Sequence, residues 1–293
     1  MSPPLKLLRL AALAAATLLV GGPARAWGPI AHQTVNAHAI DTLPKGLKPF
    51  YKNHRLELPS LSPEAVVPEE GLDRRFAADR LMSFPFADMP HTEAELKAKF
   101  GDAGEKAGRL PWLIEQSYQR LVDAFKANDK NRILAESDQL AGFVADLHNP
   151  LALTDNADGQ KTEQHGLWAR FTTRLPEAMQ NRLKLDPDTA HYLDNPRDYV
   201  FAMINDTYVW LDNLLYQEDL AHRGQGGYTE LYYEMLEQRT GRILRDRLSQ
   251  AAGDVGSYWY SAWTAAGRPE RGPPRSRGRH EAVPRVPRAG VRA

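Results

Sequence analysis

The residues of this chain best suited to chemistry lie in two short stretches. Ala24-Arg25-Ala26-Trp27-Gly28-Pro29-Ile30-Ala31-His32 carries, at Ala24 and Ala26, the small-residue spacing of an export cleavage site. A cut after Ala26 would give Trp27 a free α-amino group. Such an amine has a pKa of roughly 8, loses its proton readily to a metal near neutral pH, and chelates together with the carbonyl oxygen of its own residue. His32, about one helical turn on, offers an imidazole to the same ion. The second stretch, Phe143-Val144-Ala145-Asp146-Leu147-His148-Asn149-Pro150-Leu151, is followed by a polar loop, Thr154 to Gln160, and by Gln164-His165-Gly166. The chain has no cysteine, which excludes thiolate nucleophiles and thiolate metal ligands.

Trp27-Gly28-x-x-x-His32 directly after a cleavage site, the Asp146 segment with its loop, and Leu110-Pro111-Trp112 together resemble the superfamily of zinc-dependent phospholipases C and single-strand-specific nucleases. The likeness spans most of residues 27–172. It implies an all-α fold of that type, a three-metal cluster between helices, and a metal-activated water that attacks a phosphodiester. Carried over, Trp27 and His32 fill N-terminal zinc slots, and Asp146 fills the bridging carboxylate slot and is the catalytic candidate. His148, Asn156, Asp158 and His165 are candidates for contacts to substrate, a phosphodiester of a lipid headgroup or of nucleic acid.

The other slots of that pattern hold residues that cannot ligate. A histidine is expected four residues before Asp146 and another six after it; Gly142 and Ala152 stand there. A further histidine and carboxylate are expected after Gly166-Leu167, where the chain has Trp168 and Thr172. The histidine expected before Phe86-Ala87-Asp88 is Pro85, and its upstream carboxylate would have to be Glu69, Glu70 or Asp73. Trp168 is bulky enough to fill volume vacated at Gly142 and Ala152. The resemblance with these gaps implies a pseudoenzyme, holding at most one zinc on Trp27, His32 and Asp146, with weak or no hydrolysis. Two alternatives stay open: an active zinc phosphodiesterase that recruits His148, His165, Asp88 or His91, and a metal-free ligand-binding or structural protein.

The elements that must position these residues are helical. Gly28 to Leu43, Leu113 to Phe125, Ile133 to Leu147 and Leu231 to about Trp263 repeat apolar residues at helical spacing, and nothing alternates with period two. Thr92-Glu93-Ala94-Glu95 is a capping box, and Asn195-Pro196 opens an apolar segment that runs to Leu215. The expectation is one all-α bundle over residues 27–266. Before it, residues 1–26 read as a signal peptide, with Lys6 and Arg9 ahead of an apolar run from Leu10 to Val20. After it, residues 267–293 are Arg/Pro/Gly-rich and read as a disordered tail. Tyr258, Trp259, Tyr260 and Trp263 serve either as a stacking platform or as packing for the last helix.

The formal net charge of zero hides an uneven distribution. With the signal and the tail set aside, 26 basic residues face 35 acidic ones, a poor match for polyanions unless bound cations invert the field. No apolar run after Ala26 approaches membrane-spanning length. The sequence reading is therefore an exported, periplasmic or secreted, soluble protein.

Overall fold

The computed structural model describes residues 26–58 and 74–269. The expected signal apart from Ala26, the tail from residue 270, and Glu69, Glu70 and Asp73 lie outside the described residues. Among the described residues every regular element is a helix, and a side-chain cap or a proline in the first turn accounts for most of the starts. Pro29 opens α1 (Pro29–Thr42), in a first turn where its missing N–H has no intrahelical partner to lose. α2 (Lys48–Asn53) follows, then α3 (Glu93–Phe100) and α4 (Asp102–Ala107).

Of the capping box expected at α3, the Thr92 side-chain cap forms, and the Glu95 carboxylate turns back to the Thr92 hydroxyl. The Thr92 hydroxyl accepts from the Glu95 N–H at 3.2 Å and lies 2.7 Å from the Glu95 carboxylate. Thr92→Ala is expected to cost about 1 kcal/mol, a fall in Tm of about 2–4 °C in a domain of this size, measurable by a thermal melt.

α5 (Leu110–Ala127) and α6 (Lys130–Leu147) form an antiparallel hairpin. Asn128, in the left-handed region at φ 55°, ends the first, and the Asp129 carboxylate caps the second by accepting from Arg132 N at 3.1 Å. The polar loop then leads into a short run of helix. α7 (Leu167–Ala169) passes through a π-helical turn, Arg170–Arg174, into α8 (Leu175–Met179). α9 (Pro196–Tyr208) starts under the Asn195 cap.

The apolar segment expected to run on to Leu215 breaks at Val209-Trp210, and α10 (Leu211–His222) continues it. The break has a partner. Arg247 donates to the Asp206 carbonyl at 3.4 Å and lays its guanidinium over the Trp210 ring at 4.8 Å, which occupies the end of α9.

α11 (Glu230–Ala265), 36 residues and roughly 54 Å long, is the spine. Leu244, Leu248, Ala251, Val255, Trp259 and Ala262 are buried on it at helical spacing, and α1, α5, α6 and α10 pack against it. Gly256 permits the closest of these approaches, because a Cβ there would fall 1.9 Å from Thr42 Oγ1. The terminal aromatics are packing rather than platform. Trp259 is fully buried, stacks on Tyr51 at 4.5 Å and donates to the Ser137 carbonyl at 3.0 Å. Gly267 to Pro269 close the helix, with Trp263 Nε1 donating to the Pro269 carbonyl.

Candidate functional site

Asp146 sits on the last turn of α6, fully buried, and its side chain meets the start of α1. The Trp27 backbone N–H donates to Asp146 Oδ1 at 3.2 Å, and His32 Nε2, five residues along on α1, lies 3.1 Å from the same oxygen. The Trp27 indole N–H donates to the Ala145 carbonyl at 2.8 Å, and its ring packs on Phe171 of the π-helical turn at 5.5 Å. Gly28 N donates to the Thr172 carbonyl at 2.9 Å. Asn149, also buried, holds the preceding residue by donating to the Ala26 carbonyl at 2.6 Å. The three residues proposed from sequence, Trp27, His32 and Asp146, thus converge although 119 positions separate the first from the last.

A fourth group completes the arrangement. Arg74 Nε lies 2.6 Å from Asp146 Oδ2, with its guanidinium over the Phe143 ring at 4.7 Å and its side chain 12 % exposed. Gly142 makes room for it: a Cβ at that position would fall 2.7 Å from Arg74 Nη2. The sequence reading assigned volume vacated at Gly142 to Trp168, but the atoms nearest that glycine belong to Arg74. Burial on its own would raise the Asp146 carboxyl pKa. Arg74 first, then His32 and the Trp27 N–H, outweigh burial and hold it below its ordinary value.

With Ala26 still attached, zinc on Trp27, His32 and Asp146 does not fit this donor chemistry. While Ala26 is attached, Trp27 N is an amide whose proton is given to Asp146, with no lone pair for a metal. The guanidinium beside Oδ2 already neutralises the carboxylate and would repel a divalent cation sharing it. Among the described residues no three His, Asp or Glu side chains are grouped so as to hold an ion.

The remaining sequence candidates are spread through the fold. His148 lies two residues past Asp146, roughly 200° around the helix, and its Nε2 faces Asp254 of α11 at 3.0 Å. Asn156 ties the polar loop to itself, accepting from Lys161 N at 2.6 Å and donating to Thr162 Oγ1 at 3.0 Å. Asp158 accepts from Gly166 N at 3.0 Å and Trp168 N at 3.1 Å, which caps the turn into α7. His165 is exposed, and its carbonyl accepts from Arg170. His91 pairs with Asp198 at 2.7 Å and stacks on Phe201, while Asp88 is exposed and offers its carbonyl to Lys99. Asp79, which the sequence reading did not single out, anchors the loop: it accepts from Thr154 Oγ1 at 2.5 Å, Asp155 N at 2.8 Å and the Tyr208 hydroxyl at 3.2 Å.

No protein-family model matches this chain, and no curated protein matches it.

Proposed function

We propose that this chain is a helical relative of the zinc phospholipases C and single-strand nucleases in which an arginine carries the positive charge that metal ions supply in that superfamily. Its role is then binding or structural rather than hydrolytic. The observation that carries this reading is the Arg74–Asp146 ion pair, at 2.6 Å, set in the space that a glycine leaves at position 142. Charge balance is the physical reason: a buried carboxylate needs a counter-ion, and a guanidinium meets the need without a cofactor. Export to the periplasm or beyond, expected from Ala24-x-Ala26, belongs to the same reading. So does a phosphodiester of lipid or nucleic acid as the ligand class of the ancestral cleft.

The experiment uses the purified full chain equilibrated with zinc, passed through a desalting column and analysed for metal. Hydrolysis of bis(4-nitrophenyl) phosphate is followed with added zinc and with chelator. At most one zinc per chain and no chelator-sensitive turnover are expected. Two or more ions per chain with chelator-sensitive turnover would overturn the proposal in favour of the active phosphodiesterase.

The convergence of Trp27, His32 and Asp146 favours one second reading, a single zinc in a chain cut after Ala26, where the Trp27 amide becomes an amine. His32→Ala decides it on the cut chain. One zinc in the parent and none in the variant supports that site; equal metal content in both rejects it.

A further inference from the structure

Between α9 and α11 the fold holds a second constellation, which the proposed function does not use. A cleft of about 360 Å³ opens between the segment around Asp188, α9 and α11. This is within the range of sites that take small organic ligands. Its polar lining includes Asp188, Asp206 and Asp254 with His191 and Gln250, and no lysine or arginine is among the residues that line it. Tyr199, Met203 and Ala202 supply an apolar wall.

Asp254 is the fixed point of this cleft. Its Oδ1 accepts from the Tyr199 hydroxyl at 2.7 Å, and its Oδ2 faces His148 Nε2 at 3.0 Å. His148 is 1 % exposed, and neither ring nitrogen has a directed hydrogen bond. The carboxylate is thus hydrogen-bonded on one oxygen and lies against a buried imidazole on the other, while its own side chain stays partly open to the cleft. Arg247, buried beneath α9, reaches Asp206 at 3.4 Å and feels the charges of Asp206 and Asp254, so one fixed cation stands behind the three carboxylates and leaves the cleft acidic. Three carboxylates around a cavity with an aromatic wall favour a positive ligand. The aromatic and apolar wall beside those carboxylates suits a cation that carries an organic portion.

We infer that this cleft binds a small organic cation, an alkylguanidinium or alkylammonium group, whose charge pairs with Asp254 and whose alkyl portion lies on Tyr199 and Met203. The group has two possible sources, an external amine or guanidine and the chain's own segment 270–293, which carries seven arginines against Glu270 and Glu281.

Titration calorimetry of the full chain with n-butylguanidinium, and with n-butylurea as its uncharged counterpart, tests the inference. Saturable binding of one guanidinium per chain is expected, with n-butylurea at least tenfold weaker. Asp254→Asn should weaken the guanidinium at least tenfold. Asp188→Asn, at an exposed position whose loss does not threaten the fold, should weaken it about threefold. Equal binding of the two probes, or guanidinium affinity unchanged in both variants, overturns the inference. A full-length chain with the seven tail arginines changed to glutamine separates the sources. Tighter guanidinium binding in that chain assigns the cleft's cation to the tail, and unchanged binding assigns it to an external ligand.

Discussion

Replacing Arg74 by alanine is expected to lower stability by about 3–5 kcal/mol, the range for removing one partner of a buried ion pair and leaving the other uncompensated. Against a total stability of about 5–15 kcal/mol this is a large fraction, visible as a shifted urea midpoint at neutral pH. The pH dependence gives a sharper signature. In the parent, the Asp146 carboxyl is held below its ordinary value, so it contributes stability above the unfolded carboxylate pKa of about 3.9. That contribution is lost as pH falls through the lower folded value. Without Arg74 the largest influence opposing burial is gone and the carboxyl moves up from its parent value, so Arg74→Ala should begin to lose its native carboxylate at a higher pH than the parent. Urea midpoints measured from pH 3 to 7 would show this. An unchanged acid profile in the variant would mean that Arg74 is not the counter-ion. The double variant Arg74→Ala, Asp146→Ala should be less destabilised than the two single costs added together, because it leaves no buried charge.

Much of this architecture can be read from spacing, and the exceptions have identifiable causes. α1, α5, α6 and α11 follow from apolar residues repeating at helical intervals, such as Val35 and Ala39 or Leu244, Leu248 and Val255, all buried. The meeting of Trp27 and His32 with Asp146 followed from motif order rather than from periodicity, since nothing local links residues 119 positions apart. Arg74 escaped because it follows a Pro-punctuated stretch with no pattern of its own. One signal pointed toward it. Glycine in the interior of a helix costs about 1 kcal/mol relative to alanine, so Gly142 in the middle of α6 calls for something that approaches too closely for a Cβ. The division of α9 from α10 escaped for a related reason. Its partner Arg247 comes from a helix about 40 residues later, and the apolar spacing runs on across Val209-Trp210 regardless.

A comparable loss, about 3–5 kcal/mol, is expected for Glu218→Ala, and it follows from a network far from Asp146. Glu218 is 1 % exposed on α10. Its Oε1 accepts from Arg170 Nη2 at 2.8 Å and from the Tyr232 hydroxyl at 2.6 Å, and its Oε2 from Gln164 Nε2 at 2.5 Å. Arg170, from the π-helical turn, also donates to Tyr232 Oη at 2.8 Å and to the carbonyls of His165 and Gln164, and its guanidinium lies 3.9 Å from the centre of the Tyr228 ring. The carboxylate therefore ties the end of the polar loop to α10 and α11 at once. Removing it strands a guanidinium that burial penalises, with Tyr232 losing its acceptor on the same side. Glu218→Gln, which keeps an acceptor oxygen but not the charge, should fall between the parent and Glu218→Ala. Removing both charges, as Arg170→Met with Glu218→Leu, should cost less than Glu218→Ala alone, because neither partner is left buried and unpaired. Hydrogen exchange then separates two roles for the network. Faster exchange confined to the amides of residues 156–166 in Glu218→Gln means that it anchors the loop, whereas uniform acceleration means that it supports the bundle as a whole.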